Sequence, residues 1–310
     1  MKFVVHIGLP RAGSTTLQRQ VFPYLQGVHY LGAGASNLKQ LQVDSRNFQG
    51  LWRAKGEGVR EVEQRWRRVI NLATEVNPDI DWGLMSYEGW CRPTRMNTLE
   101  DIAERIDRVF SRPEILLVVR HPVDWVVSCY KKSLWNSIKN SDGRGGDDLR
   151  SFPAYYKSVS SDPARFFGAG GLDPMRLVRV FGADRVRVMP LEYLVATKFE
   201  ALCALYPDWS LSAFRGARMN ASQDDSSLFV ARYWHWLPAP LRRATQSWVM
   251  GNAARIEQSV GGYLPSVRVQ HKLAEQILSV FQSSLDELQS LCGVDLVQLG
   301  YTEWRGKEPR

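Results

Sequence analysis

The succession Phe3-Val4-Val5-His6-Ile7, Gly8-Leu9-Pro10-Arg11-Ala12-Gly13 and Ser14-Thr15-Thr16-Leu17 constrains the fold more than any other stretch of the 310 residues. Its first part is short, apolar and β-branched, the signature of a strand buried on both faces, and such strands belong to parallel sheets covered by helices. The glycine-bounded loop then runs into a helix N-terminus. Glycines let backbone approach an anion closely, and the first amides of a helix point unpaired donors and the positive end of its dipole at it. The loop therefore reads as a phosphate cradle. Four residues separate Gly8 from Gly13, as in the first part of a P-loop, but Ser14 stands where a nucleoside triphosphatase needs its lysine. The nearby cation is Arg11, inside the loop, placed to sit against a phosphate oxygen and stabilise charge that grows there as a bond breaks. A strand-to-helix turn with an incidental arginine is the alternative.

Further strands are predicted at residues 82–87, 115–119 and 185–189. Helical periodicity recurs over 14–25, over Val59, Val62, Trp66, Val69, Ile70 and Ala73, over 99–110 after Thr98 as N-cap, and over 174–181. Alternation of strands and helices predicts an α/β fold: a P-loop-like parallel sheet flanked by helices. A single domain over 1–310 is expected, with a flexible glycine-rich loop at about 139–150. The part from about 222 to 310 reads as mostly helical and as covering the acceptor side. It includes a helix over 223–237 and one carrying Leu273, Ile277, Phe281, Leu285, Leu288 and Leu291 on one face.

Forty Lys and Arg against 32 Asp and Glu give a net charge of +8, which favours an anionic ligand without naming it; a basic surface of no functional meaning is the bland reading. Cys91, Cys129, Cys203 and Cys292 are scattered, so neither a metal site nor a disulfide framework is predicted. A strand starts at Lys2 with no charged and apolar leader, and no apolar run reaches the length of a membrane span, so a cytoplasmic protein is expected.

The 115–119 strand runs into Arg120-His121-Pro122-Val123-Asp124-Trp125-Val126-Val127-Ser128. A P-loop hydrolase wants an Asp at such a strand end to hold Mg²⁺; this strand ends in Arg120. The site is thus built from cations and amides. Ligands of parallel sheets bind at the strand ends, which puts Arg120 on the same rim as Arg11, with Ser128 two turns into the helix and able to face the same anion.

Together these two motifs resemble the sulfotransferase family, whose members use 3′-phosphoadenosine 5′-phosphosulfate (PAPS) as donor. The resemblance implies that Arg11, Ala12, Gly13, Ser14, Thr15 and Thr16 hold the 5′-phosphosulfate and that Arg120 and Ser128 hold the 3′-phosphate. Most members carry Lys where this chain has Arg11; tyrosylprotein sulfotransferases carry Arg. Similarity extends to Val186–Leu194, to Met219-Asn220-Ala221-Ser222 and to the terminal helix with Gly293-Val294-Asp295 and Gly300-Tyr301. The loop Gly261–Arg268 resembles the late loop that closes over the donor, with Arg268 as an extra phosphate contact.

Transfer needs a base for the acceptor hydroxyl. Several carbohydrate-directed members place a catalytic Glu just after the strand equivalent to 82–87, and Glu88 occupies that position; a surface Glu is the alternative. Among the histidines, His6 reads as a hydrogen-bonded core residue, His121 adjoins Arg120, and His29, His235 and His271 have generic surroundings. Glu192 and Asp124 read as structural. Trp52, Trp90, Trp135, Trp234 and Trp236 either border an acceptor cleft, where indoles stack on sugars, or belong to the core. The expected activity is sulfuryl transfer from PAPS, without a metal, to a hydroxyl of a saccharide or glycolipid, with Glu88 and Arg11 catalytic. A tyrosine or small-molecule hydroxyl is the alternative acceptor. The rival readings are a P-loop kinase or nucleotide hydrolase and a non-catalytic polyanion-binding protein. No nucleic acid and no membrane span are expected.

Overall fold

The computed structural model describes residues 1–32, 50–51, 53–91, 97–139, 151–161, 174–212, scattered positions between 234 and 255, and 269–304. Two compact units divide the chain: Met1–His121 with Phe167–Met219 and Gln282–Leu299, and Pro122–Phe166 with Asn220–Phe281 and Gly300–Arg310.

The first unit is built on a five-stranded sheet. Strand β1 (Lys2–Gly8) is followed by short strands β2 (Leu25–Gln26) and β3 (Val28–Tyr30), then by β4 (Trp82–Ser86), β5 (Glu114–Val119) and β6 (Val186–Pro190). The order is β3-β4-β1-β5-β6, and every pairing is parallel. The apolar runs at 3–7 and 115–119 are the adjacent inner strands β1 and β5, with Val4, Val5, Ile7, Leu116 and Leu117 fully buried. Register sets His6 opposite Ser86, Gly8 opposite Val118 and Val119 opposite Pro190. The loops after β1, β4, β5 and β6 therefore leave from one edge.

Helices cover this sheet. Helix α1 is the single turn Ser14–Thr16; α2 is Glu57–Val76 and α3 is Leu99–Phe110. The Thr98 hydroxyl accepts the Asp101 N–H at 3.1 Å while the Asp101 carboxylate accepts the Thr98 N–H at 2.7 Å, so the predicted N-cap is one half of a capping box. Apolar residues recurring every three or four positions turn Trp66 of α2 and Phe110 of α3 onto the sheet. Their rings lie 5.7 Å apart, and Phe3 and Trp90 pack on Phe110 at 5.2 and 6.4 Å. Arg185, just before β6, grips both carboxylate oxygens of Asp107 and the Pro113 carbonyl, tying the start of β6 to α3 and β5.

The expected helix over 14–25 is interrupted. After α1 the chain makes a π-helical turn at Leu17–Val21 and a 3₁₀ turn at Phe22–Tyr24, where Pro23 withdraws a backbone donor. Strands β2 and β3 escape sequence reading because two or three residues carry no periodicity; β2 pairs antiparallel with β7 (Ser210–Leu211).

In the second unit, α4 (Pro122–Lys139) sets Tyr130 against Phe152 and Tyr155 of α5 (Phe152–Ser161), with ring centroids 5.5 and 5.2 Å apart. The long C-terminal helix His271–Cys292 follows the predicted apolar face, burying Ile277, Phe281, Leu285 and Leu288. The predicted helix at 223–237 lies outside the described residues apart from Trp234 and Leu237, and the 140–150 loop lies wholly outside them. No described helix is long and apolar enough to cross a membrane.

Candidate active site

The loop between β1 and α1 closes through strained backbone. Arg11 has φ +70° and Gly13 +82°, and the Ala12 N–H donates to the Leu9 carbonyl at 3.0 Å, curling the loop on itself. Turns of this handedness gather successive N–H groups into a concave, anion-binding surface. Two close approaches explain the glycines. A Cβ on Gly8 would stand 2.0 Å from Ser14 Oγ, and one on Gly13 would stand 2.6 Å from Leu191 Cδ1. Leu191 opens the helix that follows β6, α6 (Leu191–Ala196), and so packs on the floor of the loop.

Arg120 follows β5, and one guanidinium N–H donates to the Arg11 carbonyl at 3.1 Å. The cation at the end of β5 thus meets the loop after β1 across 109 residues of sequence, and its remaining N–H donors stay in their fixed fork. Next along the chain, the buried His121 donates its backbone N–H to the Glu192 carboxylate at 3.1 Å, the structural part expected of Glu192. Arg11, Thr15, Thr16 and Arg120 are half-buried; Ala12 and Ser14 are buried.

Glu88 lies two residues beyond the end of β4, half-buried, at the head of a 3₁₀ turn Glu88–Cys91. Its carbonyl accepts the Cys91 thiol at 3.0 Å, while the preceding Tyr87 N–H donates to the His6 carbonyl at 3.4 Å. The turn sends Trp90 inward, where it is fully buried against Tyr87 and Phe110. An indole in that position has no face to offer a sugar, which decides Trp90 for the core; Trp234 is buried too, under the Arg242 guanidinium.

No family model matches the chain, and no curated protein matches it. Among solved structures it is similar to a sulfotransferase from Alicyclobacillus acidocaldarius. The two share 14% identity over 96% of this chain and 98% of that one, with a TM-score of 0.49.

Behind the loop lies a polar cluster that sequence reading found only in part. His6 Nδ1 is hydrogen-bonded to Ser86 Oγ at 2.7 Å, Gln18 Nε2 donates to the same oxygen at 3.0 Å, and the Tyr30 hydroxyl bonds it as well. Burial pushes the His6 imidazole down to a pKa of about 3, so the ring is neutral. Burial also raises the Tyr30 hydroxyl far above its ordinary value. His6 is the hydrogen-bonded core histidine expected; Ser86 and Gln18 gave no signal, since a serine at a strand end and a glutamine in a helix are common.

Ser128 sits in α4, 4% exposed, within the second unit. Arg268, Met219–Ser222, Trp52, Trp236 and His235 lie outside the described residues, as does the side chain of Trp135. Among the described residues no three His, Cys, Asp or Glu side chains gather as a metal would require. The remaining histidines have plain partners: His29 Nε2 meets the Asn77 carbonyl at 3.1 Å and His271 pairs with Glu275 at 3.2 Å.

Proposed function

We propose that the protein is a cytoplasmic, PAPS-dependent sulfotransferase acting on a hydroxyl of a saccharide or glycolipid. The observation that carries this reading is the Arg120–Arg11 contact: the strand beside β1 ends in a cation clasping the phosphate loop, where a nucleoside triphosphatase would present a metal-binding carboxylate. With Ser14 in the lysine position, the rim suits a donor gripped by two arginines and backbone amides. A donor bearing separate 5′- and 3′-phosphates matches two cations set on one edge.

In the reaction, the acceptor oxygen attacks sulfur in line. The bond from sulfur to the 5′-phosphate oxygen breaks, and 3′-phosphoadenosine 5′-phosphate departs. Arg11 with the amides and hydroxyls of Gly13, Ser14, Thr15 and Thr16 stabilises the charge left on that oxygen, while Ala12 shapes the loop. Glu88 takes the acceptor proton from its place at the sheet edge, half-buried two residues beyond β4. The sulfotransferase resemblance assigns Arg120, Ser128 and Arg268 to the 3′-phosphate. With Trp90 in the core, the saccharide acceptor is supported by the position of Glu88.

Thermal unfolding tests the donor. At a bisphosphate concentration a hundred times its Kd, mass action adds about 2.7 kcal/mol, or roughly 5 °C in Tm for a chain of this size. Stabilisation by ATP with Mg²⁺ and none by 3′-phosphoadenosine 5′-phosphate would end the reading in favour of a kinase or hydrolase. Binding that collapses with salt, with no response to a single nucleotide, would favour a polyanion-binding protein.

A further inference from the structure

We infer that His6 is a positioning residue that couples the phosphate loop to the segment presenting Glu88. The inference rests on the sulfuryl-transfer reading for what the loop and Glu88 do, and on the following geometry for the coupling itself. His6 lies two residues before Gly8, and its register partner Ser86 lies two residues before Glu88. The imidazole therefore stands where the strands leading to the two halves of the site run side by side.

One end of the ring holds β4. The 2.7 Å bond to Ser86 is reinforced from the far side of the loop by Gln18, 3.0 Å from the same oxygen, so the flanks before and after the loop converge on one hydroxyl. The π-helical turn at Leu17–Val21 contains Gln18, and an extra residue in a helical turn re-aims the side chains around it. The His6 carbonyl takes the Tyr87 N–H, a second tie to the residue before Glu88.

The other end of the ring faces the loop. His6 Nε2 and Ser14 Oγ are buried without a hydrogen-bond partner among the described residues, and His6 Cε1 and Ser14 Oγ crowd the same point above Gly8, 2.9 and 2.0 Å from where a Cβ would lie. An unpaired buried polar atom is costly, and a strand reading Phe3-Val4-Val5 and Ile7 has every reason to carry an apolar residue here instead. The imidazole is also rigid and edge-packed on Phe22 at 5.1 Å, so one nitrogen cannot shift without the other. A displacement of Ser14 as a phosphate seats in the loop is thereby passed to Ser86 and to the turn that begins at Glu88.

Hydrogen exchange with 3′-phosphoadenosine 5′-phosphate as the probe tests this. In the wild type the bisphosphate slows exchange in residues 8–18 and, by coupling, in residues 86–91, each by about fivefold or more. Ser86→Ala, the smallest cut in the tie, and His6→Phe, which keeps a ring, retain a bisphosphate Kd within about threefold and the protection of 8–18, but lose the protection of 86–91. Amides of α3 exchange as in the wild type and report that the fold is intact. A histidine that merely fills the core leaves the ligand-induced protection of 86–91 in place, and that result would overturn the inference. Should His6→Phe not fold, Ser86→Ala alone decides. If the wild type does not bind the bisphosphate, the sulfuryl-transfer reading falls by itself. The tie is then judged without nucleotide: the variants exchange residues 86–91 about tenfold faster than wild type while α3 is unchanged, or the inference falls as well.

Discussion

Glu88 carries the chemistry proposed for this site, and its environment makes the proposal testable at a single atom. Replacing a carboxylate by an amide of the same shape removes the proton acceptor while leaving the loop, Arg11 and Arg120 alone. Glu88→Gln should keep the bisphosphate Kd within about threefold and lower turnover on a saccharide acceptor by about 10²- to 10⁴-fold, the usual contribution of a general base. Unchanged turnover, measured as bisphosphate release, would move the role elsewhere. That Glu88 stands at the sheet edge was legible because a strand end can be placed from hydrophobic pattern alone. The fate of Trp90 was not: two residues further on, a 3₁₀ turn decides whether an indole faces a cleft or Phe110, and no periodicity marks so short a turn. Arg120 divides the same way. Its place after an apolar run could be read, but its grip on the Arg11 carbonyl depends on a rotamer and on a neighbour 109 residues away.

The loop from Gly8 to Gly13 was the most legible element, because glycine spacing is a direct statement about backbone. What presses on it was hidden. Leu191, from the far side of β5, fills the space beside Gly13, and Ser14 folds back over Gly8. The two glycines should therefore fail in different ways. At Gly13 a methyl meets both Leu191 and a φ of +82°, so Gly13→Ala should lower stability by about 1–3 kcal/mol, seen in the urea midpoint, and weaken bisphosphate binding with it. Gly8 has no positive φ; its methyl displaces the Ser14 hydroxyl. Gly8→Ala should cost about tenfold in bisphosphate affinity, roughly one hydrogen bond to a charged group, with a smaller loss of stability than Gly13→Ala. Equal stability losses in the two variants would contradict this division. The helix after the loop shows the limit of pattern reading: spacing over 14–25 suits an α-helix, whereas the bond from Gln18 to Ser86 accompanies a π turn that only the tertiary structure reveals. Thr98, in contrast, was readable as a cap because the whole device lies within four residues.

At the largest scale, the strand order of the five-stranded sheet explains why the loops of the candidate site leave from one edge. The chain leaves β1 toward β3 and β4 on one side and later leaves β5 toward β6 on the other, so the loops after β1 and β5 diverge and open a crevice between them. Arg11 and Arg120 stand in those two loops, joined by the bond from Arg120 to the Arg11 carbonyl, in a chain of net charge +8. The same sheet holds His6 without access to water, which links global stability to protons. In the unfolded chain this imidazole takes its proton near its ordinary value of 6.5; in the fold, burial pushes it to about 3. Between those values the unfolded state binds more protons than the folded one, so stability rises with pH and is lost as pH falls from 6.5 toward 3. The slope approaches about 1.4 kcal/mol per pH unit for the single group, and above 6.5 it contributes nothing. Repulsion among the excess positive charges works in the same direction as carboxylates protonate, so the wild-type curve alone cannot isolate His6. Its difference from His6→Phe can, because both chains carry the other charges alike. Urea midpoints taken between about pH 7 and 5 should fall more steeply for the wild type, the excess approaching about 1.4 kcal/mol per unit below 6.5. Parallel curves would mean that the imidazole is protonated inside the folded protein, and then its bond to Ser86 would have to be one that His6 donates.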